Sequence, residues 1–425
     1  MLKRIVRQLR RLGPGLITGA SDDDPSGIAT YSQAGARLGT SLLWTNLFML
    51  PLMAGIQEIS ARLGRVTGRG IMANLRGRIP KPLLYAIVAL LFTANTLNLG
   101  ADLAAIGDAV RLLTGGPALL YAALAALLSA ALESGLRYQS YARVLRWTTL
   151  VLFSYVAAAF LVHVDWKGAI HDTLVPSLRM DAGAATMLIA VLGTTISPYL
   201  FFWQSSEEAE EMKVRRHAGP LKTSPAPARR ELRRIRLDTW TGMMLSNVVA
   251  FFIMLMAAVT LHRRGPTDLE TAAQAAEALR PLAGPYAYAL FTAGIVGTGL
   301  LAAPILAGSS AYAVSEALGW PAMLEKTPRQ AKGFYAILAL SFAMGAGLPA
   351  LGISPVKALV ASAVLNGIVA VPIMVVLIRL ARSTTTMGEF RISRRLATLG
   401  WIATASMALA SAAFFWTHWP TRASS

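Results

Sequence analysis

The sequence predicts an all-α polytopic membrane protein: eleven spans in one domain, arranged as two five-helix halves of inverted topology with an extra helix behind them. Three observations lead there. Of the 425 residues, 55% are hydrophobic and only 15% charged, against about 25% charged in an ordinary soluble domain, and the mean hydropathy is +0.51. Eleven segments reach the roughly 20 mostly apolar residues that cross a hydrocarbon core as a helix. The first and the sixth of these are interrupted at mid-depth.

The segments cover residues 14–37, 41–63, 82–112, 117–136, 144–164, 184–207, 238–261, 285–316, 333–351, 355–380 and 395–416. Helix is the expected element because lipid offers the backbone no hydrogen-bond partner, and no stretch sustains strand alternation. Basic residues outnumber acidic ones by 40 to 22. With residue 1 in the cytoplasm, 31 of those 40 fall on inner segments, including nine between positions 213 and 236. That asymmetry sets orientation, so the net charge of +18 reads as topology and not as a nucleic-acid surface. It predicts a multi-pass protein of the inner (plasma) membrane, with a cytoplasmic N-terminus and the C-terminus outside. The basic first 11 residues lack a following cleavable h-region. The chain has no cysteine, which excludes disulfides, thiolate zinc, Fe–S clusters and cysteine nucleophiles. The expected organisation is a single transport domain over 1–425: a first repeat at 1–164, a second at 182–382 and the extra helix at 394–418. Residues 213–236 read as a solvated basic loop, and 262–283 as a short amphipathic surface helix. A monomer is expected.

The first span carries Asp22, Asp23 and Asp24 at its centre, followed by Pro25, Ser26 and Gly27. One Asp at a helix centre costs on the order of 3 kcal/mol to insert, and three neighbours cannot share one helix face. A broken helix resolves this, since Pro25 lacks a donor and Gly27 relaxes the backbone. Unwound backbone at membrane depth is tolerated where protein or a wet cavity surrounds it. The acids then serve to coordinate a cation, with carbonyls of the first half-helix as further ligands. The plain alternative is a set of buried ion pairs relieved by protonation.

In the sixth span Gly193, Thr194, Thr195 and Pro198 interrupt an apolar run. Breaks at the first and sixth positions of a ten-helix core place a site between them. Asp102, with Asn95 and Asn98 before it, reads as a proton or ion relay or a structural hydrogen-bond network. Asn366 reads as a pore residue. Asp108 reads as solvated, and Glu58 and Glu133 as partners of Arg62 and Arg137 four residues on. Glu207, Glu208, Glu210 and Glu211 read as a solvated face. None of the five histidines falls at mid-span.

With these residues in hand, the chain resembles the Nramp family of divalent-metal transporters, which has the LeuT-type fold. The resemblance runs from GPGLITGA at 13–20 to the eleventh span. It includes Asp24-Pro25, SLLW and QEISARLGRVTGR in the second span, ADLAAIGDA in the third, GTTISP in the sixth and LLAAPILAGSSAYAVSEALG in the eighth. It implies that Asp24 and the Thr194 carbonyl are metal ligands. The chain departs from the family pattern Asp-Pro-Gly-Asn at Gly27, where the Asn ligand is lost. It departs from Ala-Thr-Ile-Met-Pro-His at Ser197 and Tyr199, which replace the thioether ligand and the proton-linked His. A second family His aligns with Gln204, and a third-span acid with Ala105. Hydroxyl, carbonyl and carboxylate oxygens suit Mg²⁺, Ca²⁺ and Mn²⁺, so the site resembles that of the Nramp-related magnesium transporters.

The resulting expectation is a secondary transporter of hard divalent cations, Mg²⁺ or Mn²⁺, working by alternating access and not obligatorily coupled to protons. Its metal site comprises Asp24, Thr194, Ser197, Ser26, Asp23, Asp22 and Gly27. Asp102, Tyr199, Gln204 and Asn366 form its ion or proton pathway. The cation is substrate, and no cofactor is expected. The alternatives are a transporter of a small organic solute, a Mg²⁺-dependent intramembrane enzyme, which lacks a second acidic motif, and a sensor that binds without transporting.

Overall fold

The computed structural model describes residues 14–135, 148–177, 181–214, 219–264, 268–324 and 326–418. Outside them lie the basic residues 1–11, the start of the fifth span at 144–147, Arg137 with the other basic residues up to Arg146, and part of the basic connection at 215–218. The described residues form helices and turns, with no strand among them.

The principal helices are α1 (Pro14–Asp22), α2 (Pro25–Leu38), α3 (Leu43–Thr67), α4 (Lys81–Thr114), α5 (Ala118–Gly135), α6 (Phe153–Ala159), α7 (Ala182–Thr195), α8 (Pro198–Val214), α9 (Ala228–Thr260), α10 (Ala287–Leu318), α11 (Lys332–Gly347), α12 (Pro355–Arg382) and α13 (Arg394–Thr417). Seven helical segments among the described residues are long and apolar enough to cross a membrane. Both expected interruptions are present, and both are short. Only Asp23 and Asp24 separate α1 from α2, and only Ile196 and Ser197 separate α7 from α8.

Sequence explains the first break directly. A residue preceding proline is pushed out of the helical region, and Asp24 is extended at φ −70°, ψ 172°. Its carboxylate then caps α2 by accepting from the Gly27 backbone N–H at 2.7 Å, while Pro25 occupies the first helical position, where no N–H is needed. At the second break the Ser197 hydroxyl reaches the freed carbonyls of Gly193 and Thr194, each at 2.9 Å. Pro198 restarts the helix.

Each half-helix before a break lies on a later helix through glycine. On α1, a Cβ at Gly15 would come 2.7 Å from the Thr239 nitrogen, and one at Gly19 would fall on the Gly242 backbone of α9. On α7, a Cβ at Gly193 would strike the Ala363 carbonyl of α12. The start of α1 is also capped from α9, because the Asp238 carboxylate accepts from the N–H groups of Gly15 (2.9 Å) and Leu16 (3.2 Å). A negative group there meets the positive end of the helix dipole.

Two expectations of the sequence are corrected here. Helix α9 begins at Ala228, ten residues before the apolar run at 238. The preceding stretch ARRELRRIR is polar but composed of good helix formers, so the helix extends beyond its apolar part. The surface helix expected within 262–283 is three short pieces, Ala272–Ala276, Glu277–Leu279 and Arg280–Ala283, the first opened by a capping box between Thr271 and Gln274. In the connection before α7, the helix Trp166–Leu174 docks through Asp172, which accepts from the Thr40 hydroxyl at 2.5 Å. That bond holds the Asp172 carboxyl below the usual carboxylate range.

Candidate functional site

The two breaks meet at Asp24. Tyr199, in the first turn of α8, donates its hydroxyl to the Asp24 Oδ2 at 3.1 Å and lies equally close to the Ser21 carbonyl at the end of α1. Asn98 on α4 donates its amide to the same Oδ2 at 3.2 Å, and the same nitrogen is 3.4 Å from the Asp102 carboxylate one turn on. With the Gly27 N–H on the other oxygen, three donors converge on one carboxylate that is 2% exposed.

The network continues into α12. Ser362 donates to the Asn98 Oδ1 at 2.8 Å and Asn366 reaches it at 3.5 Å. The Ser26 hydroxyl donates to the Leu359 carbonyl at 3.1 Å and stands 3.4 Å from the Ser362 hydroxyl. Four sequence-predicted residues besides Asp24 therefore join one buried cluster: Ser26, Tyr199, Asp102 and Asn366. One Asp102 oxygen and the Asn366 carbonyl oxygen have no hydrogen-bond partner among the described residues.

Gly27 sits between the breaks. A Cβ there would lie 3.2 Å from the Asp22 carbonyl and 3.5 Å from the Thr194 hydroxyl. Thr194 and Ser197 are buried beside it, the Ser197 hydroxyl covering the Thr194 carbonyl. Tyr31 on α2 closes this side by meeting the Thr195 hydroxyl at 2.9 Å.

Asp22 and Asp23 point instead toward α9, where one Ser246 hydroxyl serves both, at 2.7 and 3.1 Å. The second Asp22 oxygen has no partner among the described residues. Gln204 stands apart from Asp24: it accepts from Gln57 at 2.6 Å and donates to the Thr239 hydroxyl at 2.8 Å, tying α8 to α3 and α9. Asn98 was read from sequence only as a neighbour of Asp102, and Ser362 and Ser246 were not singled out at all. Their only signal is a polar side chain within an apolar run.

Three further readings can be set against the geometry. Glu58 pairs with Arg62 at 2.5 Å, as the spacing predicts. Asp108 is buried and not solvated: it pairs with Arg111 at 2.5 Å and accepts from the Ala272 N–H at 3.2 Å. Nor do the α8 acids form a solvated face, since Glu207, Glu208 and Glu210 are all buried. Glu208 pairs with Arg234 at 2.5 Å, and Glu210 receives the Tyr312 hydroxyl and the Leu324 N–H. The long helical start of α9 brings Arg234 to them, a reach that an unstructured loop would not have fixed.

A family model described as "Natural resistance-associated macrophage protein-like", Nramp, matches residues 15–417. The chain belongs to the Nramp family. Among its curated relatives is a divalent metal cation transporter, MntH, of Aeromonas hydrophila, 27% identical over 395 residues that make up 90% of each chain. The MntH of Deinococcus radiodurans is 26% identical over 408 residues, covering 93% of this chain and 87% of that one. The fold is similar to that of the Eremococcus coleocola manganese transporter in complex with an aromatic bis-isothiourea compound. That match has a TM-score of 0.74 and 18% identity, over 95% of this chain and 85% of the other. It also resembles MhsT in complex with L-phenylalanine, at a TM-score of 0.57 and 14% identity, covering 94% of this chain and 98% of that one.

This Nramp chain thus has the LeuT-type architecture, with discontinuous first and sixth spans and a further helix, α13. Among its described residues no group of three or more His, Asp or Glu side chains is arranged to hold a metal ion. The donors around the breaks are carboxylates, hydroxyls and backbone carbonyls, and none among the described residues there is sulfur.

Proposed function

We propose that this Nramp-family chain carries divalent metal cations across the membrane by alternating access, the cation being held between the α1/α2 and α7/α8 breaks. It is a transporter and not an enzyme. The observation that carries the site assignment is the convergence of Tyr199, Asn98 and the Gly27 N–H on Asp24, which joins both breaks at one buried carboxylate.

In this reading Asp24 is the principal ligand, with the Thr194 carbonyl and the Ser197 and Ser26 hydroxyls as neutral oxygen donors. Gly27 leaves room for water. Asp22 and Asp23 raise the negative potential beside the site. Asp102, Tyr199, Gln204 and Asn366 line the route of the ion. An all-oxygen donor set favours hard ions, and Mg²⁺ keeps several of its waters when bound, so Mg²⁺ and Mn²⁺ are the expected substrates. No histidine stands at either break to carry a proton, and transport is read as proceeding without obligatory proton movement. The protein is read as a monomer in the plasma membrane, N-terminus cytoplasmic and C-terminus outside, with repeats at 1–164 and 182–382.

The deciding experiment is uptake of Mg²⁺ and Mn²⁺ into proteoliposomes carrying a metal dye and a pH dye. Asparagine caps a helix as well as aspartate does, so Asp24→Asn removes the charge and leaves the start of α2 intact. Metal entry without acidification in the parent chain, lost at least tenfold in folded D24N, is the expected result. Undiminished uptake by D24N would refute the site, and entry accompanied by stoichiometric acidification would refute the uncoupled reading.

A further inference from the structure

Glu133, near the end of α5, is 2% exposed, and neither of its carboxylate oxygens has a hydrogen-bond partner among the described residues. A buried carboxylate in that condition is rare and costly, because buried polar groups are ordinarily paired. One turn earlier on the same face stands Ser129, fully buried, its hydroxyl likewise without a partner among the described residues. Residues four apart on a helix are neighbours. The carboxylate lies against α10 where Gly308 has no side chain: a Cβ there would be 3.3 Å from the Glu133 Oε1 and 2.7 Å from Trp203. Trp203 of α8 lines the same gap, and one turn further along α8 stands a second buried carboxylate, Glu207, 6% exposed, whose Oε1 accepts from the Tyr312 hydroxyl of α10 at 3.3 Å.

We propose that Glu133 and Glu207, with the Ser129 hydroxyl, form a second divalent-cation site between α5, α8 and α10, separate from the one at the breaks. A single proton would satisfy one oxygen of Glu133, leaving the other and the Ser129 hydroxyl unpaired and the second carboxylate nearby. A hydrated cation answers all of these at once. Mg²⁺ ordinarily keeps several of its waters and is held through only one or two protein carboxylates. Glu207 lies nine residues beyond Pro198, so the site stands about 13 Å along α8 from the second break. Resting on the transport reading above, this makes it a relay for an ion that has left Asp24.

The test is Mn²⁺ binding to the purified full-length chain in lipid nanodiscs, counted by equilibrium dialysis and the electron paramagnetic resonance of free Mn²⁺. Glu133→Gln keeps shape and removes charge, and a monodisperse elution profile checks its folding. The parent chain should bind two ions, E133Q one, and D24N the other one. Gly308→Ala fills the gap beside Oε1 and should weaken only the ion that E133Q removes, by tenfold or more. Full stoichiometry in E133Q, which an ion pair to Arg137 or a bound proton would produce, overturns the proposal. A parent chain that binds a single ion, lost in D24N, overturns it and leaves the central site standing. Loss of an ion in E133Q with none lost in D24N upholds this site and overturns the central one.

Discussion

At the scale of the residue, the site is set by what each side chain leaves open. Gly27 is the clearest case, because a side chain there would project between the Asp22 carbonyl and the Thr194 hydroxyl. Gly27→Asn should bring an amide oxygen into direct range of the ion and remove space for its water. Mg²⁺ dehydrates reluctantly, so the ratio of Mg²⁺ to Mn²⁺ uptake should fall about tenfold, corresponding to ~1.4 kcal/mol. An unchanged ratio in competition assays would show that Gly27 does not set the size of the site. Asp24 and Pro25 were legible in the sequence because an acid before proline in an apolar run has few structural explanations. Ser246 was not. A serine in a membrane helix ordinarily bonds its own backbone one turn back, and nothing local reveals that this one meets Asp22 and Asp23 more than 220 positions away.

Among the helices, α1 is held by close backbone approach. Gly15 and Gly19 place its backbone against Thr239 and Gly242 of α9, and the Asp238 carboxylate holds its first N–H groups. A methyl at Gly19 meets backbone and not a movable side chain, so Gly19→Ala must lift α1 away. Overpacking of this kind costs about 1–3 kcal/mol, which corresponds to a roughly 5- to 150-fold shift between two states. A cysteine at Thr18, buried in the docked arrangement, should react correspondingly faster with a maleimide in G19A than in the glycine parent. Equal rates would mean that α1 tolerates the methyl in place. The breaks themselves could be read from proline and glycine. The start of α9 at Ala228 could not, because hydropathy marks where a helix enters lipid and not where it begins. The burial of the α8 acids was hidden for the same reason, since Arg234 reaches Glu208 only on that extended helix.

For the molecule as a whole, the charge asymmetry makes a topological prediction that the chain's composition makes easy to test. With no native cysteine, every introduced thiol reports without background. Ser224, between α8 and α9, and Thr271, before Ala272, are exposed and lie on opposite sides in the predicted orientation. A thiol at 271 should label in intact cells with an impermeant reagent, and one at 224 only after permeabilisation. The reverse pattern would invert the molecule in the membrane.

The orientation of Asn98 carries a consequence for kinetics. Its amide oxygen faces Ser362 and Asn366, and its nitrogen faces Asp24 and Asp102. An ion arriving at Asp24 finds a donor on each oxygen and has to compete with them for the lone pairs. An ion arriving at Asp102 finds one oxygen vacant among the described residues and has nothing to evict. Loading is therefore competition at the first carboxylate and simple addition at the second. The two steps should respond differently when the supply of ions is scarce: addition follows concentration directly, while competition depends also on how often Tyr199 or Asn98 lets go.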